Sequence, residues 1–289
     1  MSYKLETEPS GDVTLTVEGL WDRETEAVWG RGGIDGLVLN YANGFEGGVE
    51  FLEGLKVKRL SLTARHIEDL RPLYNSADTL QALFLSTSST AKLDLGQLPA
   101  LRSLDVEHWK QIQMSSDASA CVQDLYLGHY SERDLQPLAE WPALQRLRLK
   151  DRPALVSLSG VEALGDLRLL QVVGASRLED FTPLDSLNRG LEELWLESCK
   201  KISSIDFVRR LESLTELTVA DCGPIDSLRA LRGLEHLLGV YMWESTQILD
   251  GDLSPLLELP SLRALRMRSR RHYRPSVADV MSQIGQEYP

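Results

Sequence analysis

The chain has 289 residues, a hydrophobic fraction of 43%, and 43 Asp and Glu against 31 Lys and Arg, for a net charge of −12. That balance argues against nonspecific attachment to nucleic acid or anionic membrane, which needs clustered positive charge, and is compatible with a basic protein partner or simply with solubility. Three cysteines make no disulfide framework, no run reaches the ~18 apolar residues of a membrane span, and the opening residues lack the apolar centre of a signal peptide, so a cytoplasmic protein is expected.

Along the chain, Val13, Leu15 and Val17 alternate as a strand does, and Trp21 to Trp29 reads as a short helix or turn. Residues 1–33 are therefore expected to form an N-terminal cap. From Ile34 a motif takes over: an apolar residue, two variable ones, Leu or Val, one variable, then Leu, Val or Met. It begins at Ile34-Leu37-Leu39 and Val57-Leu60-Leu62, passes through Leu144-Leu147-Leu149 and Leu191-Leu194-Leu196, and ends at Leu262-Leu265-Met267. Eleven copies follow one another at steps of 21 to 25 residues. A period in the twenties is the signature of a solenoid, in which each coil buries its apolar residues against its neighbours.

Inside each coil the last two apolar positions, two residues apart, point to one side of a short strand and the residue between them points to the other. After the strand comes an apolar series at three-residue spacing, such as Leu178-Phe181-Leu184-Leu187 and Ile202-Ile205-Val208-Leu211, which suits 3₁₀ turns. Pro72, Pro137, Pro183 and Pro255 fall on this return path, where a missing backbone donor does least harm. Beyond the last coil, Ser276 and Asp279 form a capping-box pattern, followed by Val277, Val280, Met281 and Ile284 on one helix face. The expected layout is a cap at 1–33, a solenoid at 34–269, and a cap helix with its tail at 270–289, one structural domain overall.

Ile67-Glu-Asp-Leu70-Arg-Pro-Leu73, Leu178-Glu-Asp-Phe181-Thr-Pro-Leu184 and Leu253-Ser-Pro-Leu256 resemble the short repeats of the internalin and phosphatase-regulator branches of the leucine-rich repeat family. The resemblance implies an α/β solenoid, a horseshoe whose concave face is a parallel sheet of about eleven strands, with 3₁₀ or irregular convex turns. It also implies a binding protein. The family's Asn, three residues after the last strand leucine, is missing: the position holds Tyr130, Arg152, Ala175, Cys199, Cys222 and Ser245 among others.

No Walker-type loop, H-E-x-x-H, G-x-S-x-G or C-x-x-C occurs, and the five histidines are scattered, so neither catalysis nor a cofactor is expected. His108, His129 and Asp151 share one repeat position in consecutive coils, a weak candidate for a metal site set against two solvated histidines. Cys199 and Cys222 are also equivalent, close enough on stacked coils for a disulfide but more simply read as small buried thiols. The stronger signal lies on the concave face. Phe84, Asp105, Tyr126, Arg148, Trp195, Tyr241 and Arg266 occupy its central column, with Glu107, Lys150, Glu197, Trp243 and Arg268 in the next column outward. Outward-facing aromatics mixed with arginine and carboxylates are the chemistry of interface hot spots, although aromatics also stack across strands for structural reasons.

These features predict a non-catalytic module that binds another protein on its concave face, with neutralisation of a toxin or effector as a specialised form. A scaffold or regulatory subunit that targets an enzyme is the alternative; an enzyme or a nucleic-acid binder ranks below both. The arginine run Arg263, Arg266, Arg268, Arg270, Arg271 and Arg274 reads as a site for phosphate or an acidic partner, as a neutraliser of the acidic solenoid, or as a solvated edge.

Overall fold

A computed structural model describes residues 3–115 and 121–286, which fall into two compact units, Met1–Leu127 and Gly128–Pro289. The outermost residues of the two expected caps, 1–2 and 287–289, lie outside the described set.

In the first unit the strands follow one another in chain order: Tyr3–Thr7, Val13–Val17, Gly36–Asn40, Arg59–Ala64, Ala82–Thr87, Ser103–Val106 and Asp124–Leu127. The first pair is antiparallel and every later neighbour is parallel. Register follows the leucines: Leu15, Leu37, Leu60, Leu83, Leu104 and Leu125 stand side by side, as do Val17, Leu39, Leu62, Leu85, Val106 and Leu127. All twelve are buried, so each coil is held by the apolar pair of the next. A slip of one residue would turn every pair outward, which fixes the register.

The cap of this unit contains one more element than the sequence indicates. Tyr3–Thr7 pairs antiparallel with Val13–Val17, yet most of its residues are exposed, so no buried face announces it. The expected helix is present at Arg23–Gly30. Its N-cap Asp22 accepts from the Glu24 and Thr25 amides, and Thr25 Oγ1 accepts from the Asp22 amide at 2.8 Å. Trp21 stacks on Phe51 with ring centroids 4.3 Å apart, tying the segment before the helix to the next return path.

In the second unit the strands are Arg146–Leu149, Leu169–Val173, Glu193–Glu197, Glu216–Ala220, Gly239–Met242 and Ala264–Met267, all parallel. Leu147, Leu170, Leu194, Leu217, Val240 and Leu265 form the matching buried row. The return paths are 3₁₀ turns such as Gln136–Leu138, Thr182–Leu187 and Asp206–Val208, with one short α-helix at Ser254–Leu257. Pro137, Pro183 and Pro255 each sit in a first turn, where no helical donor is required; Pro72 does the same in the first unit.

The place of the missing Asn is taken by a left-handed corner. His129, Asp151, Gly174, Ser198, Asp221 and Glu244, at corresponding positions in successive coils, all have φ between 46° and 82°. The turned backbone points the amides of Gly174, Ser198 and Asp221 at carbonyls of the following coil, at 2.8, 2.9 and 3.2 Å. Asp221 then bridges three coils, accepting from Ser198 Oγ at 2.9 Å and Ser245 Oγ at 2.8 Å, with Lys200 Nζ at 2.6 Å. Next to these corners Cys199 and Cys222 are thiols buried in the interior. Cys199 Sγ lies 3.5 Å from the Glu197 carbonyl, and Cys222 Sγ lies 3.2 Å from that of Ala220, so weak S–H donors stand where the amide would be. Interaction with the Cys222 thiol, and burial after it, raise the Cys199 pKa well above the ordinary thiol value.

The last strand is closed by the helix Val277–Gln283, capped by Ser276 and Asp279 in the reciprocal arrangement its sequence predicts. Val277, Val280 and Met281 are buried, and Gln286 Oε1 accepts from the Leu265 amide at 2.7 Å. No helix among the described residues is long and apolar enough to cross a membrane.

Candidate functional site

Parallel register builds the open face of each unit column by column. In the first unit Val38, Ser61, Phe84, Asp105 and Tyr126 stand abreast on the side away from the leucines. Phe84 is 39% exposed, an unusual state for a phenyl ring between Ser61 and Asp105. Beside it lies an open groove of about 320 Å³ that also touches Arg59 and Glu8. Arg59 is held there by Asp12 at 2.6 Å and Glu8 at 3.2 Å. Glu107, one column outward, accepts from Ser86 Oγ and has Arg65 and His108 nitrogens at 3.9 Å. Tyr126 and Asp105 are half-buried.

In the second unit the column reads Arg148, Gln171, Trp195, Thr218, Tyr241 and Arg266. Arg148 and Lys150 are half-buried, and Arg268 is exposed. Four of the expected residues join into one cluster. The Trp195 and Trp243 rings meet edge to face, 87° apart in plane and 6.0 Å between centroids, although their coils are separated by a third. Arg266 lays its guanidinium over the Trp243 ring at 5.1 Å. Trp195 Nε1 donates to Glu197 Oε2 at 3.0 Å. Cation, indole, indole and carboxylate thus form a continuous strip across four coils.

The intervening coil explains how two indoles two strands apart can touch. It carries the small Thr218 and Ala220 on this face, 4% and 0% exposed, so no bulky side chain stands between the rings. Trp195 itself remains 37% exposed. Its packing is therefore greater than strand alternation alone implies, because alternation gives a direction and not a neighbour. Tyr241 folds back along its own strand: a Cβ on Gly239 would come within 2.7 Å of its ring, so the glycine leaves the space the ring occupies. Burial, and the Glu216 carboxylate after it, raise the phenol pKa of Tyr241, which stays a neutral donor near pH 7. Thr218, Ala220 and Gly239 were not predicted as site residues. Their signal is small size in coils next to tryptophan and tyrosine.

Among the described residues no group of three His, Cys, Asp or Glu side chains is arranged to hold a metal ion. The equivalence of the three positions fails at the backbone: His129 and Asp151 lie in left-handed corners at φ 46° and 58°, whereas His108 is extended at φ −129° ahead of the 3₁₀ turn Trp109–Gln111. On the return side of the second unit, the stacked Phe181 and Phe207 rings, 4.4 Å apart, border a groove of about 380 Å³. Its acidic side chains are largely spoken for, Asp206 by Arg209 at 2.9 Å and Asp185 by Arg210 at 3.3 Å.

No protein-family profile matches the chain, and no curated protein is a significant match. Among solved structures, it is similar to a leucine-rich repeat protein of Leptospira interrogans, with 17% identity, a TM-score of 0.58, and coverage of 88% of this chain and 71% of that one. Internalin C2 of Listeria monocytogenes aligns at 15% identity with a TM-score of 0.44, covering 75% and 82% of the two chains. Internalin F of the same organism aligns at 21% with a TM-score of 0.40, covering 85% and 81%. Identities this low carry fold and no function. With the leucines in register strand after strand and 3₁₀ turns closing the coils, the chain is an α/β solenoid of the leucine-rich repeat type.

Proposed function

We propose that this chain is a non-catalytic cytoplasmic module that holds another protein on the open faces of its strands. The observation that carries the reading is the strip Arg266, Trp243, Trp195 and Glu197, which keeps large aromatic and charged groups at the surface in a fixed arrangement. Such groups dominate interface energies, and rings already packed against each other lose little freedom when a partner arrives. Tyr241, Arg148, Lys150 and Arg268 extend this patch in the second unit; Phe84, Asp105, Glu107 and Tyr126 are the partner-facing residues of the first. Within this class the role we favour is neutralisation of a toxin or other effector, in keeping with an acidic chain built of one kind of repeat.

The test is capture from a native lysate with the wild-type chain and three variants, followed by mass spectrometry. A protein retained by wild type and by the return-side control Arg210→Ala, and lost with Trp195→Ala and Arg266→Ala, is the expected result. Retention by the open-face variants together with loss in Arg210→Ala would overturn the assignment.

A further inference from the structure

Resting on that reading, we infer that the last coil of the second unit receives an acidic segment of the partner protein, with Arg266 and Arg268 taking its carboxylates beside Trp243. Between Glu258 and Asp279 the sequence holds six arginines and no Asp or Glu, in a chain of net charge −12. Elsewhere in this unit arginines meet carboxylates, as in Arg232 with Glu258 at 2.9 Å and Arg168 with Glu192 at 3.4 Å. Among the described residues none of the six does.

The six are not equivalent. Arg263 and Arg274 spend Nη1 on backbone carbonyls, of Leu262 at 2.9 Å and Tyr273 at 2.7 Å, and so serve the fold. Arg266 and Arg268 are exposed and, two residues apart along an extended chain, emerge on the same side ~7 Å from each other. Arg266 sets its guanidinium over the Trp243 ring, 5.1 Å from the centroid, which orders the side chain, and among the described residues it makes no ion pair. A carboxylate bound in the guanidinium plane forms two parallel charge-assisted hydrogen bonds. Among the described residues Arg268 makes no hydrogen bond or ion pair, and its exposed charge faces outward to a partner.

The same surface disfavours a nucleic acid. Glu192, Glu193 and Glu216 lie at the entry edges of the preceding strands, and Glu197 sits beside the indoles. A phosphate backbone, charged at every nucleotide, would meet these carboxylates as it ran across the coils. A short acidic stretch ending at the last coil, with an apolar side chain against Trp243 and Trp195, would not.

The probe is a phage-displayed library of random dodecapeptides, selected against the full chain and remeasured as fluorescent synthetic peptides. The expected outcome is enrichment of Asp and Glu around a leucine or aromatic residue, with affinity falling at least about tenfold in Arg268→Glu and in Arg266→Glu while circular dichroism is unchanged. Arg268 is exposed, so its replacement leaves the core untouched and a loss of binding reports on the surface. Peptides without acidic residues that depend on Trp195 and not on Arg268 would overturn the acidic-segment assignment and leave the open-face reading standing. No enrichment, or peptides indifferent to all these variants, overturns both. Arginine-dependent binding of a single-stranded oligonucleotide more tightly than any selected peptide overturns the choice of a protein partner.

Discussion

Trp195 and Leu194 are adjacent in sequence and opposite in consequence, because strand alternation sends one to the open face and the other into the interior, where it is 1% exposed. Trp195→Ala is expected to weaken the partner complex by at least ~2 kcal/mol, about thirtyfold in affinity. Its edge-to-face contact with Trp243 adds ~0.5–1.5 kcal/mol to stability, so denaturation should also register a small loss. Leu194→Ala should lower stability by ~2–5 kcal/mol through the cavity it leaves. Urea titration with isothermal calorimetry separates the two; equal destabilisation would contradict the assignment of faces. The cysteines offer a second residue-scale measurement. Cys121 is exposed while Cys199 and Cys222 are buried. A thiol reagent should therefore modify one cysteine quickly in the native chain and the others only once urea opens it. Rapid native reaction at Cys199 would mean that the corner does not enclose it.

At the scale of elements, the terminal helix makes the plainest demand. Val277, Val280 and Met281 cover the end of the last strand, each contributing ~1.5–3 kcal/mol if fully buried. Removing Pro275 onward should lower the melting temperature and promote aggregation, and an unchanged melt with full solubility would show that the end needs no cover. This helix was legible because Ser276, Asp279 and the apolar stripe state its start and its face in residues three and four apart. The eleven strands were legible for the same reason, a repeated leucine pair. What escaped were features with no apolar periodicity behind them. Tyr3–Thr7 is an exposed edge strand held mainly by backbone pairing. The left-handed corners fall on His129, Asp151, Ser198, Asp221 and Glu244, whose side chains do not announce a positive φ as glycine does. The site was legible in its columns and hidden in its contacts: alternation places Trp195, Trp243 and Arg266 on one face, but their union depends on the small Thr218 and Ala220 in the coil between.

Across the molecule, stability should follow the carboxylates that stitch coils together. Lys200, Ser245 and Ser198 hold the Asp221 pKa below its ordinary value, and Thr182 and Ser157 do the same for Asp180. A folded pKa below the unfolded one, ~3.9 for Asp, means that the unfolded chain takes up protons first as the solution is acidified. The stabilisation is complete above about pH 5 and lost as pH falls through the folded values. Urea midpoints, measured at constant salt to screen the changing net charge, should hold from pH 7 to about 5 and decline below about 4. Asp221→Asn should lower the midpoint at pH 7 and approach wild type at pH 3; a gap of constant size would separate Asp221 from the acid response.

A solenoid ordinarily lengthens or shortens by gaining or losing one coil, and most of its surface survives the change because each coil answers only to its neighbours. The pairing of Trp195 with Trp243 across Thr218 and Ala220 removes that freedom locally. An inserted coil would part the two rings by a further ~4.8 Å, and a deleted one would force them onto adjacent strands. The stretch from Glu193 to Met267 can therefore be inherited only whole, and this chain should vary in repeat number everywhere before it varies there.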